Sequence, residues 1–196
     1  KKQVELLINK RVDGIIMSLS NESNNDFHIK EILRKGIPFV QFDKISKLIP
    51  SSKVIIDDQK AAMEAVQHLI DKGCKKIAHI RGLENPQNSI DRFIGYKKAL
   101  EKNGIPFDSK LVYSCKSITF EQGVEFAKQI VEENLGIDGI FVITDLVAIG
   151  VLAHFNEIGI QVPNQIAIIG FSNWFVSQVI SQKLSTVDQP NYEMGV

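Results

Sequence analysis

Arg92 is the residue of this sequence with the most definite chemical requirement. Phe93, Ala99 and Leu100, with a stop at Gly104, predict a helix that begins at Ser89 and places Arg92 in its first turn. The positive end of the helix macrodipole disfavours a cation there by roughly 0.3–1 kcal/mol, so the guanidinium needs a partner. Its planar fork of donors matches the hydroxyls of a sugar or a carboxylate, and a surface salt bridge would satisfy it equally. Asp43 closes the apolar run Pro38–Phe42, where a carboxylate either accepts from ligand hydroxyls or caps the next turn. Thr144-Asp145 and Ser172-Asn173 are polar pairs that directly follow apolar runs, and Asp145 would also serve as a plain helix N-cap worth ~1 kcal/mol. Trp174 supplies an aromatic face that could stack on a ligand or pack at an edge.

These residues need elements to hold them. Residues 138–173 read as strand (Ile140–Ile143), helix (Asp145 to about Ile158, stopped by Gly159) and strand (Ile166–Ile169, ending at Gly170). Such a run makes a right-handed βαβ unit of a parallel sheet, and parallel sheets bind ligands beyond the carboxyl ends of their strands. The polar pairs stand at those ends. The same alternation runs through the chain: strands near 13–19, 38–42, 54–56, 76–80 and 111–114, and helices over 1–10, 26–35, from Asp57 or Asp58 to Gly73, and from the capping-box pattern Thr119-x-x-Gln122. On the last of these helices Val124, Ala127, Val131 and Leu135 are expected to face inward. The class is therefore α/β, with parallel sheets flanked by helices.

The 196 residues carry 23 Lys+Arg against 23 Asp+Glu, so no global field favours nucleic acid. Cys74 and Cys115 lack the spacing of a redox or zinc motif and read as buried free thiols. His28, His68, His79 and His154 do not cluster with them, and neither a phosphate-cradling glycine motif nor a nucleophile elbow occurs, so no metal, no cofactor and no enzyme activity are expected. The chain starts with a helix and without Met, as a piece entered inside a βαβ unit would. Residues 44–53 (Pro, three Ser, little periodicity) and 183–190 are candidate crossings between lobes; two hinged lobes or one continuous sheet both fit the pattern. The segment 146–155 (LVAIGVLAHF) is apolar around nearly its whole circumference, which predicts burial on both sides, within one lobe or against a second subunit.

VDGII (12–16), GIPFVQFD (36–43), HLIDKGCKKIAHIRG (68–82), RFIGYKKAL (92–100), TDLVAIGVL (144–152), GIQVPNQIAIIGFSN (159–173) and LSTVDQP (184–190) stand in an order that resembles the lactose-repressor family over nearly the whole chain. The resemblance implies a two-lobed, periplasmic-binding-protein-like (type I) fold, with residues 1–54 plus 184–196 in one lobe and 55–183 in the other. It implies the effector-binding core of a cytoplasmic transcription regulator, a homodimer that meets operator DNA through a headpiece outside this chain. A periplasmic sugar-binding protein is the alternative within the same fold. The implied effector, a sugar or derivative held between the lobes, would touch Asp43, Arg92, Thr144, Asp145, Ser172 and Trp174. Ser172 departs from the aspartate that many members carry there, and Ile118 stands at a position that is often aromatic.

Overall fold

Short parallel strands flanked by helices make up the fold in a computed structural model, which describes residues 2–19 and 27–195. The chain divides into two compact units: Lys1–Ile56 with Asn85–Asn88 and Pro190–Val196, and Asp57–Glu84 with Ser89–Gln189.

The first unit holds α1 (Lys2–Asn9), β1 (Ile15–Met17), α2 (Phe27–Arg34), β2 (Phe39–Phe42) and β3 (Ser52–Val54). The helix expected over 26–35 is thus observed from Phe27, and Asp26 lies outside the described residues. The strands pair in parallel in the order β1-β2-β3, over a core of Val4, Ile15, Ile29, Ile32, Phe39 and Ile49. Residues 44–53 are not a crossing between units. They form the β2–β3 loop, pinned from inside by the fully buried Gln41, which donates to Ser51 Oγ at 2.8 Å and accepts from Ser46 N–H at 2.8 Å. Ile45 and Ile49 bury the loop's apolar side. A loop with little periodicity is therefore fixed by one buried amide that must satisfy its own donors and acceptors.

The second unit contains α3 (Asp58–Asp71), β4 (Ile77–Arg81), α4 (Gln87–Lys102, from Ser89 onward), β5 (Val112–Ser114), α5 (Phe120–Glu133), β6 (Gly139–Val142), α6 (Asp145–Glu157), β7 (Ala167–Ser172), α7 (Phe175–Val179) and β8 (Ser185–Asp188). Its all-parallel sheet has the order β5-β4-β6-β7-β8. The boundary expected near residue 184 lies instead after Gln189, because Ser185–Asp188 pairs with β7 and so belongs to this sheet. Ala78, Ile80, Ile140, Val142 and Ile168 turn to the face covered by α5 and α6. The alternate residues His79 and Phe141 turn to the other face, where the His79 ring stacks on Phe93 and Tyr96 of α4. Cys74 and Cys115 are buried and free.

Two helix faces differ from the pattern. Gln122, Gly123, Phe126, Ala127 and Ile130 are the buried residues of α5, while Val131 is 40% exposed. The rotation has a packing cause: a Cβ on Gly123 would collide with the Val147 carbonyl, and one on Gly150 with the Phe120 carbonyl, so the glycines must face each other for α5 and α6 to close. That contact also covers a second side of α6, so that Val147, Ala148, Gly150, Val151, Leu152 and Phe155 are buried by the sheet and by α5 within the unit. Ile158, at its end, is 46% exposed.

Candidate functional site

Chain order and sheet order disagree at one place in the second unit. From β4 the chain goes to β5 on one side and then returns to β6 on the other, so β4 and β6 flank a topological switch point. In open parallel sheets the crevice at the carboxyl ends of such strands is where ligands bind. Arg92 sits there. Its Nε donates to Asp58 Oδ1 at 2.7 Å, its Nη1 donates to the Ile143 carbonyl just beyond β6 at 2.8 Å, and its Cζ lies 3.5 Å from the centroid of the Phe171 ring on β7. One guanidinium therefore joins the start of α3 to the ends of β6 and β7.

Local sequence explains the placement. Asp57 caps α3 by accepting from Lys60 N–H at 2.9 Å, which leaves Asp58, the first helical residue, to turn inward. On α4, Gly95 lies against the Gln59 carbonyl where a Cβ would collide, so the helix can approach the first turn of α3 and carry Arg92 to Asp58. The helix begins at Gln87, two residues earlier than expected, so Arg92 falls in the second turn, beyond the strongest part of the macrodipole. Its need for a partner is met by a buried ion pair, not by a surface one: the two side chains are 3% and 10% exposed.

Asp145 is not an N-cap. Thr144 occupies that position without a side-chain cap bond, and Asp145 is the first residue of α6. Its Oδ2 accepts from Trp174 N–H at 2.7 Å and its Oδ1 from the Thr186 hydroxyl at 2.5 Å. At 1% exposure, with both oxygens engaged, the carboxylate ties the ends of β7 and β8 to α6. Among the described residues the buried Thr144 Oγ1 has no hydrogen-bond partner, an uncommon state for a buried hydroxyl.

The chain leaving β7 is strained. Ser172 has φ +121° and Asn173 φ +49°, in the region that side chains avoid, and such outliers concentrate at binding sites. Residues of β8 hold the kink: Asn173 N–H donates to Thr186 Oγ1 at 3.1 Å and Asn173 Nδ2 to Asp188 Oδ1 at 3.0 Å. Trp174 follows with its side chain about half exposed. The structure thus brings Arg92, Thr144, Asp145, Ser172 and Trp174 together at one end of one sheet. Asp43 belongs to the first unit, where it follows β2 with φ +56° and accepts a long 3.5 Å bond from Ser18 Oγ. Ile118 packs against the main core of the second unit. Residues that the local pattern missed are Asp58, Phe171, Thr186 and Asp188. The sequence signal for Asp58 was the doubled aspartate at a helix start, since only one of the two can cap. A separate cavity of about 450 Å³ opens at the opposite, amino ends of β6–β8, lined by His68, Lys72, Asp138, Asn164 and Ser185 among others. It has the concavity of a site but none of the convergent, buried polar groups found around Arg92.

A family model described as a periplasmic binding protein-like domain matches residues 66–196. The chain is 38% identical to catabolite control protein A of Priestia megaterium, over 99% of this chain and 59% of that protein, so it spans little more than half of the relative's length. The transcription regulator CcpA of Lactococcus lactis has the same fold at TM-score 0.89, with 31% identity over 99% of this chain and 70% of that one. A LacI family transcriptional regulator from Enterococcus faecium, solved with bound ribose, superposes at TM-score 0.85 with 28% identity, over 99% of this chain and 71% of that one.

Proposed function

The chain belongs to the periplasmic binding protein-like family, in its lactose-repressor branch, and from that premise we propose that it is the effector-binding core of a cytoplasmic transcription regulator. The observation that carries the reading is the guanidinium of Arg92 at the β4/β6 switch point, beside the buried, unpartnered Thr144 hydroxyl and the strained end of β7. A small polyhydroxylated molecule, a sugar or derivative, is held at these strand ends by Arg92, Thr144 and Ser172, with Trp174 stacking on its C–H face. Asp145 acts by fixing the floor of the site. Asp43 is a further proposed contact, resting on its strand-end position and left-handed backbone in the first unit. Occupancy shifts the population of conformations available to the core, and so the way a DNA-binding headpiece outside this chain meets its operator. The relatives named above are regulators, which favours this role over transport and over enzyme chemistry.

The core works as a homodimer in this reading. Its candidate contact face is α7, where Phe175 is 71% exposed and Val179 59%. The test of the site is calorimetric titration with ribose and a panel of neutral mono- and disaccharides. Arg92→Ala is expected to weaken the sugar that binds by roughly 1–3 kcal/mol, the scale of a hydrogen bond to a charged group. Equal affinity of the variant and the parent protein would remove Arg92 from the site.

A further inference from the structure

Most arginines that recognise ligands keep their charge available to an anion, but Arg92 does not. Asp58 stands 2.7 Å from its Nε, the pair is nearly closed to water, and the Phe171 ring packs against the guanidinium with its centroid 3.5 Å from Cζ. We propose that Asp58 is the specificity determinant of this site, and that the Arg92–Asp58 pair restricts it to uncharged polyhydroxyl ligands and excludes phosphorylated or carboxylated ones. The inference rests on the effector-site reading above and adds to it the charge class of the ligand and the residue that sets it.

The argument is one of charge and of donor balance. An anion reaching Arg92 has two routes. It can displace Asp58 from Arg92, which breaks the 2.7 Å contact and leaves that carboxylate with little solvent, the costly outcome for one half of a buried ion pair. Or it can settle beside Asp58, and two anions a few ångströms apart in a partly dry site repel strongly. The ring of Phe171 blocks a third route, in which the guanidinium would swing away to follow the anion. A hydroxyl meets neither penalty. It accepts from the guanidinium and donates to the carboxylate, and neighbouring hydroxyls of one sugar can divide the tasks, one facing Arg92 and the next facing Asp58. The other groups at the same strand ends fit a neutral ligand: the Thr144 and Ser172 hydroxyls carry no charge, and both carboxylate oxygens of Asp145 are already engaged by Trp174 N–H and Thr186.

The experiment compares the full chain with Asp58→Asn and Arg92→Ala by calorimetry. Probes are neutral sugars matched with charged versions of the same ring, such as ribose with ribose 5-phosphate and glucose with glucuronate, together with inorganic phosphate alone. The parent chain is expected to bind a neutral sugar and to bind its charged counterpart at least ~10-fold more weakly, and Asp58→Asn to gain about 10- to 100-fold for the charged probes, the range set by one close like-charge contact. A parent chain that binds the charged counterpart as tightly as the neutral one overturns the proposal, as does an Asp58→Asn protein that melts cooperatively but gains nothing for any anion. If Asp58→Asn fails to fold, the selectivity of the parent chain decides alone. If no sugar binds the parent chain, phosphate decides: Asp58→Asn must take up phosphate that the parent chain refuses, and failure to do so refutes the role of Asp58. Loss of the wider reading looks different. There, Arg92→Ala leaves the affinity of the neutral sugar unchanged, whatever Asp58→Asn does.

Discussion

Replacing Asp145 by alanine separates a structural tie from a ligand contact. The carboxylate is 1% exposed and accepts from Trp174 N–H at 2.7 Å and from the Thr186 hydroxyl at 2.5 Å. A hydrogen bond to a charged group contributes about 1.5–3 kcal/mol, and an acidic residue in the first turn of a helix adds some 0.3–1 kcal/mol. The two bonds share one carboxylate and do not add fully, so the lower ends of these ranges apply and Asp145→Ala is expected to destabilise the second unit by roughly 3 kcal/mol. For a unit of this size that is a fall in melting temperature of roughly 10 °C. Asp145→Asn should lose less than half as much. Its amide oxygen can still accept from Trp174 N–H, while its NH₂ donates to Thr186 Oγ1. Urea unfolding followed by far-ultraviolet circular dichroism gives the global value. The sequence has a single tryptophan, so fluorescence reports Trp174 itself and shows whether the end of β7 loosens before the rest. An alanine variant as stable as the parent, but impaired in sugar binding, would make Asp145 a ligand group and refute the tie.

Three other perturbations test the packing. His79 is fully buried with Nδ1 3.0 Å from the Phe141 carbonyl; burial first, then Arg81 and Arg92, push its pKa down from 6.5 to about 3. The unfolded chain therefore takes up a proton that the folded one refuses: stability is complete above about pH 6.5 and falls by about 1.4 kcal/mol per pH unit toward pH 3. His79→Leu should lessen that slope in urea titrations, and an unchanged slope would exclude His79 as its source. Gly150→Ala should destabilise by roughly 1–3 kcal/mol through collision with the Phe120 carbonyl, whereas helix propensity alone would stabilise by about 1 kcal/mol, so the sign of the change in a thermal melt decides whether α5 and α6 touch as described. Phe175→Glu should convert a self-associating core to monomers in light scattering, and a variant that stays dimeric would move the contact away from α7.

What was legible in the sequence was what depends on local period and on topology. The strand-helix alternation, the stop at Gly159 and the polar pairs beyond Ile143 and Gly170 are all features of a few neighbouring residues, and the strand-end rule turns them into a candidate site. What was not legible depends on register between distant segments. Thr186 and Asp188 look like an extended tail in the sequence, yet the pairing of Ser172 with Asp188 sets them under the kink of β7. The inward stripe of α5 was right at Ala127 and Leu135 but not at Val131, because apolar period alone decided it, while two glycines on different helices fixed the rotation. The loop 44–53 looked free because its anchor, Gln41, is a polar residue inside an apolar strand, and local pattern treats that as noise. Arg92 joins the two cases. Its need for a partner followed from charge and helix position, although the helix start was misjudged by two residues. The partner's identity needed Asp57 to take the cap and Gly95 to admit α4, so that a side chain 34 residues away could meet it inside the protein. A buried cation announces in sequence that it must be paired, and only packing tells with what. Here the answer is a carboxylate and not an open cleft, and that pairing is the ground on which we propose a site that reads hydroxyls.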